Sequence, residues 1–70
     1  PPNFGSIHYW LSYAREVLME ARDRRAYKCE IKCALIALEG LTKKPSGVHQ
    51  YAAMRIYEQL GELYKGYTRK

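Results

Sequence analysis

Two cysteines and two histidines are the residues of this chain most able to bind a metal ion. Cys29 and Cys33 are four positions apart, which places both thiols on one face of a helix. A structural zinc site usually needs a second pair of ligands, and a redox helix uses a C-x2-C spacing. His8 and His49 fall in other segments, and nothing in the sequence places them nearby. We therefore predict no metal, no cofactor and two small, partly buried free thiols, as suits a reducing compartment.

Catalytic chemistry has little support in this sequence. A general base needs an orienting partner and a substrate pocket, and neither histidine lies at a spacing that supplies a partner. The chain has no glycine-rich phosphate loop and no recognisable pair of catalytic carboxylates. A chain of 70 residues that folds into three packed helices, as predicted below, also leaves no room for a large pocket. The sequence thus predicts a protein that is not an enzyme.

The chain is short, with 70 residues, of which 47% are hydrophobic. This is enough for one small helical core, although such a chain buries only about 60% of its unfolded surface. It has no run of 18 apolar residues and no signal-peptide pattern. Because it starts with Pro1 rather than Met, we interpret residues 1–70 as a single soluble domain excised from a larger intracellular protein, cytoplasmic or nuclear.

Glycine and proline positions divide the chain into three helical segments. Neither residue occurs between Ser6 and Glu39, and no alternation typical of a strand persists. The predicted helices are 6–22, 24–41 and 46–67. Their predicted N-caps are Ser6, Asp23 and Ser46. Short connections between them favour an all-α, antiparallel three-helix bundle.

Each predicted helix carries an apolar stripe at helical spacing, and the second is apolar all round over residues 33–38. The second helix should therefore be the central element. The aliphatic residues predicted to form the core are Leu11, Leu18, Ile31, Leu38, Ile56 and Leu60. The aromatic residues assigned to core positions are Trp10, Tyr27 and Tyr67.

Removing the core stripe of the third helix leaves a second seam with 3-4-3 spacing, formed by Met54, Tyr57, Gly61 and Tyr64. Glycine costs roughly 1 kcal/mol relative to alanine inside a helix, so Gly61 suggests close approach of another backbone. Met and Tyr are enriched in protein interfaces. On the second helix, Ile36 also lies away from the main stripe. The alternative is that helices 1 and 2 straddle helix 3 widely enough to cover the seam.

The net charge of +5, from twelve Lys and Arg against seven Asp and Glu, favours acidic partners. A basic patch is predicted around the first turn, formed by Arg22, Arg24, Arg25, Lys28 and Lys32. A second basic cluster lies within the last six residues. Both clusters could equally be ordinary solvated surface, since long cationic side chains commonly cover helices.

Two functions follow from these surfaces. The first is a protein-interaction or adaptor module that presents helix 3 to an acidic or amphipathic peptide or helix, or to a second copy in a homodimer. The second, less favoured, is nucleic-acid binding by the basic patch. Against nucleic acid, acidic residues interrupt that patch and the short second helix of a helix-turn-helix is lacking. The helices also lack the strongly basic face of a membrane-surface segment.

The stretch 14–21, together with Tyr27 at the start of the next helix, resembles the antiparallel helix pairs of tetratricopeptide domains and of microtubule-interacting-and-trafficking domains. Such domains bind peptides or helices in grooves. The tetratricopeptide turn glycine is absent, and Glu30 replaces the expected small residue. The turn is also shorter than in the trafficking domains, so the sequence is assigned to neither family.

Overall fold

The structure, a computed structural model, describes residues 7–43 and 47–69, which form three α-helices and no strand. The helices are α1 (Ile7–Arg22), α2 (Lys28–Thr42) and α3 (Val48–Lys65), and each packs against the other two. The predicted all-α class is confirmed. In this described part of the chain, no helix is both long and apolar enough to cross a membrane. The predicted caps Ser6 and Ser46 lie outside the described residues.

One hydrophobic core joins the three helices. All six aliphatic residues predicted for the core are buried, and Ile31, Leu38 and Leu60 are the largest side chains that are fully enclosed. Val17, Leu41 and four alanines fill the remaining core positions of the helices, and the alanines, Ala14, Ala21, Ala34 and Ala53, are fully buried. Because an alanine side chain is a single methyl group, these positions let neighbouring helices approach closely.

The start of α2 was predicted wrongly. The helix begins at Lys28 rather than near residue 24, because Arg24 adopts a left-handed backbone with φ of 60°, which no helix interior accommodates. Asp23 is therefore not an N-cap, and its carboxylate instead lies 3.6 Å from the guanidinium of Arg25. Tyr27 is the N-cap, and its backbone N–H donates to the Glu30 carboxylate at 2.8 Å. Tyr27 is also half exposed, so its assignment to the core was wrong.

The residues after α3 fold back onto the turn between α1 and α2. Tyr67 is buried as predicted, but it lies beyond the last helical residue, and its hydroxyl donates to the carbonyl of Ala26. The backbone N–H of Lys28 donates to the carbonyl of Arg69 at 2.9 Å. The tail thus satisfies one of the free N–H groups at the start of α2.

Candidate functional site

Exposed apolar side chains concentrate on α3. Seven large hydrophobic residues are exposed among those described, and four of them belong to this helix. These four, which we call the α3 ridge, are Val48, Tyr51, Met54 and Tyr57, exposed by 82%, 63%, 46% and 37%. Successive members are three residues apart, so the ridge runs diagonally across the helix surface as an i±3 row.

Shallow grooves lie beside the α3 ridge. One is lined by Tyr51, Met54, Arg55, Glu58 and Gln59. The other is lined by Thr42, Gln50, Met54, Tyr57 and Glu58. Met54 therefore contributes to both grooves. Neither Arg55 nor Glu58 forms an ion pair with any other described residue, so both charges remain available to a partner.

The seam predicted from the sequence is divided by the packing of α2. Met54 and Tyr57 are exposed, whereas Tyr64 packs against the core and its ring lies 5.1 Å from the ammonium group of Lys28. Tyr64 is therefore covered by a neighbouring helix, which is the alternative that the sequence left open for this seam. Gly61 is partly exposed, and a Cβ added there would meet no atom within 4 Å. No described part of this chain approaches Gly61 closely, so its role in partner contact stays a prediction.

Two members of the α3 ridge were missed by sequence reasoning. Val48 and Tyr51 continue the three-residue spacing of Met54 and Tyr57 back to the start of the helix. Following that spacing toward the N-terminus would have found them. The heptad-like 3-4-3 pattern pointed instead toward Tyr64, on the flank that α2 covers.

Ile36 lies on the side of α2 opposite the core. It is 62% exposed, whereas Ala34 and Leu38, each two positions away, are fully buried. At about 100° per residue, two positions correspond to about 200° around the helix. Ile36 is thus a single exposed apolar side chain on α2, separate from the α3 ridge.

The two thiols lie on this outer side of α2. Cys29 and Cys33 are free, as predicted, but both are exposed rather than partly buried. Tyr13 of α1 lies near them: burial raises the pKa of the Tyr13 hydroxyl, and the neighbouring Cys33 and Glu30 raise it further. The expectation of partial burial was wrong because both thiols lie outside the buried stripe of α2, where the nearby Tyr13 does not cover them.

The two histidines meet, although no pattern in the sequence places them together. The rings of His8 and His49 pack edge to face with centroids 4.5 Å apart, because the starts of α1 and α3 lie side by side. Across residues 7–43 and 47–69, no three His, Cys, Asp or Glu side chains are grouped to hold a metal ion. The absence of metal binding by this protein stays a prediction.

The predicted basic patch is largely engaged in contacts with its own chain. Arg22 donates to the side-chain oxygen of Gln59, and Arg25 pairs with Asp23. The guanidinium of Arg24 lies 5.5 Å from the ring centroid of Tyr67, and Lys28 covers Tyr64. Lys32 is exposed on α2.

The tail adds a further cation to this region. Arg69 lies over the ring of Tyr27 at 4.6 Å, and a side-chain hydrogen bond that its guanidinium donates to the Tyr27 hydroxyl oxygen raises the pKa of Arg69. In the sequence, the basic residues of the first turn and those of the C-terminus form two separate clusters. The fold brings Arg69 of the second cluster against the first.

Comparisons of the chain with protein-family models, with curated proteins and with solved structures find no match.

Proposed function

We propose that this chain is a non-catalytic protein-interaction module, an adaptor whose α3 ridge binds an acidic, amphipathic helix of a partner protein. The observation that carries the proposal is the concentration of exposed apolar side chains on one helix. Exposed apolar residues scattered singly are common on monomers, but a contiguous apolar patch with a polar rim is typical of an interaction site. Met54 and Tyr57 are residue types enriched at such sites.

The shape of the α3 ridge favours a helical occupant. An i±3 row on one helix fits between the i±4 rows of another, which gives a crossing angle of about 20°. The partner would insert apolar residues with helical spacing into the grooves on either side of Met54. Arg55 and Glu58, which have no ion-pair partner among the described residues, would face an acidic and a basic group of the partner.

Charge favours a different protein over a second copy of this chain. With a net charge of +5, two copies repel each other, whereas a partner of negative net charge is attracted and associates faster. Self-association is therefore an outcome that the binding experiment must be able to detect.

The helix order that we propose is sequentially antiparallel. Four contacts support it: His8 with His49, Arg22 with Gln59, the amide of Gln50 with the carbonyl of Thr42, and the N–H of Lys28 with the carbonyl of Arg69. In this order α1 and α2 both pack on the inner side of α3, which leaves the α3 ridge uncovered. The two exposed free thiols support an intracellular, reducing location.

A matched pair of substitutions tests the proposal. Amphipathic helical peptides that bind the chain would be selected from a display library. Their affinities for the chain would then be measured by isothermal titration calorimetry. Met54→Ala should weaken the best peptide by about 1–3 kcal/mol, because Met54 lines both grooves. Ile36→Ala, which removes a similarly exposed apolar side chain from α2, is the control and should leave the affinity unchanged.

Three outcomes would count against the proposal. The first is equal loss of affinity in the Met54 and Ile36 variants, since the bound peptide would then not depend on the α3 ridge. The second is a selected set of peptides without acidic residues or without helical apolar spacing. The third is dimerisation of the chain alone, lost on Met54→Ala, which would assign the ridge to a second copy.

A further inference from the structure

Basic residues distant in sequence converge at the end of the molecule where α2 starts. The N–H of Lys28 donates to the carbonyl of Arg69, and the hydroxyl of Tyr67 donates to the carbonyl of Ala26. These bonds hold residues 67–69 against the turn between α1 and α2. We call the cationic residues gathered there the basic end; they are Arg22, Arg24, Arg25, Lys28 and Arg69.

Three of these cations are positioned over aromatic rings. Arg24 lies over Tyr67 at 5.5 Å, Lys28 over Tyr64 at 5.1 Å, and Arg69 over Tyr27 at 4.6 Å. Cation–π contacts restrict side chains that would otherwise sample many rotamers. Binding of an anion to these cations therefore loses less side-chain entropy than binding to lysine and arginine side chains that are free to move.

Two acidic residues of this region are already engaged. The carboxylate of Asp23 lies 3.6 Å from Arg25, and the carboxylate of Glu30 accepts the N–H of Tyr27. Glu16 and Glu20 line the groove beside Asp23 and Arg25. Among the described residues, however, Arg25 is the one cation of the basic end that forms an ion pair, so the other four positive charges have no ion-pair partner there. This imbalance favours an anionic ligand with several charges.

We propose that the basic end binds the phosphate backbone of a single-stranded nucleic acid, with one base stacked on Tyr27. Binding sites for single strands combine a cationic surface with aromatic side chains that stack on bases. Tyr27 is 49% exposed and lies beside Arg69, so it supplies the aromatic surface next to the cations. Arg69 lies over the ring of Tyr27, yet the side chain stays half exposed, and an acidic peptide would use the charges without using that exposed aromatic surface. The residues involved are distinct from the α3 ridge.

The test is fluorescence anisotropy of a fluorescein-labelled oligothymidylate bound by the whole chain over a series of salt concentrations. Each phosphate contact contributes about −0.7 to the slope of log affinity against log salt, so four or five cations predict a slope of about −3. Arg25→Gln and Arg69→Gln should each reduce the slope by about 0.7 and weaken binding roughly fivefold at 0.1 M salt. Tyr27→Leu should weaken binding while leaving the slope unchanged, because stacking releases no counterions.

Lys43→Gln is the matched control, since it removes the same charge beyond the far end of α2, where Lys43 pairs with Glu39. It should leave the affinity and the slope unchanged. Among the described residues, the guanidinium of Arg25 forms an ion pair with the exposed Asp23 and has no ion pair with the tail, so Arg25→Gln remains decisive even if Arg69→Gln loosens the tail. The proposal is overturned if the Arg25 and Lys43 variants behave alike, or if no binding occurs at low salt. It is also overturned if polyglutamate displaces the labelled strand as well as unlabelled oligothymidylate does, which would assign the surface to an acidic protein.

Discussion

At the level of single residues, buried side chains should stabilise the fold, whereas exposed side chains of the α3 ridge should contribute little to stability. Leu38 is fully buried in the central helix, so Leu38→Ala should cost about 2–5 kcal/mol of unfolding free energy. That is a large part of the total stability of a chain this small. Tyr51→Ala, at an exposed position of the α3 ridge, should cost less than about 1 kcal/mol. Thermal unfolding followed by circular dichroism compares them, and an unchanged melting temperature for Leu38→Ala would contradict the assignment of α2 as the central element.

The aliphatic core could be predicted from the sequence because burial follows helical periodicity. Aromatic residues were harder to assign, since Tyr presents an apolar ring and a polar hydroxyl and fits both environments. Tyr67 was predicted to be buried and is, whereas Tyr27 occupies the N-cap of α2 and lies half exposed. The difference depends on the left-handed Arg24, a backbone conformation that no local pattern around residue 24 indicated.

At the level of the helices, substitutions of Gly61 and Gly40 separate the cost of a glycine to helix stability from a role of Gly61 in partner binding. A Cβ at Gly61 or at Gly40 would meet no atom within 4 Å, so Ala at either position should stabilise its helix by up to about 1 kcal/mol. Gly61 lies one helical turn beyond Tyr57, beside the α3 ridge. Gly61→Ala should therefore raise the melting temperature and weaken the selected peptide, whereas Gly40→Ala should only raise the melting temperature. Equal peptide affinities for the two variants would show that no partner backbone approaches Gly61.

Helix positions were largely predictable, but helix ends and exposed faces were not. The glycine and proline positions placed α1 and α3 within a few residues, because they break the backbone regardless of tertiary contacts. The start of α2 depends on the tail, whose Arg69 carbonyl accepts the N–H of Lys28, a contact spanning more than half of the chain. Coverage of Tyr64 by Lys28 likewise depends on how α2 packs on α3. Such contacts cannot be inferred from periodicity within one helix.

At the level of the whole molecule, we propose two ligand classes for two different surfaces. The α3 ridge is apolar, and Arg55 and Glu58 beside it have no ion-pair partner among the described residues. The basic end, in contrast, is formed by charged side chains around the first turn and the tail. Apolar docking should change little with salt, whereas phosphate binding should weaken steeply. The sequence already pointed to different surfaces for the two functions, but it could not predict that residues 22–28 meet residues 67–69, because that contact is a property of the fold.

The central claim is that the α3 ridge is the protein-binding surface, and an NMR titration tests it most directly. The ¹⁵N-labelled chain would be titrated with a selected acidic amphipathic peptide, and the shift of every backbone amide recorded. We expect the largest shifts at residues 48–58, with small changes at residues 22–28 and around Ile36. Largest shifts at the basic end, or on the outer side of α2, would contradict the claim.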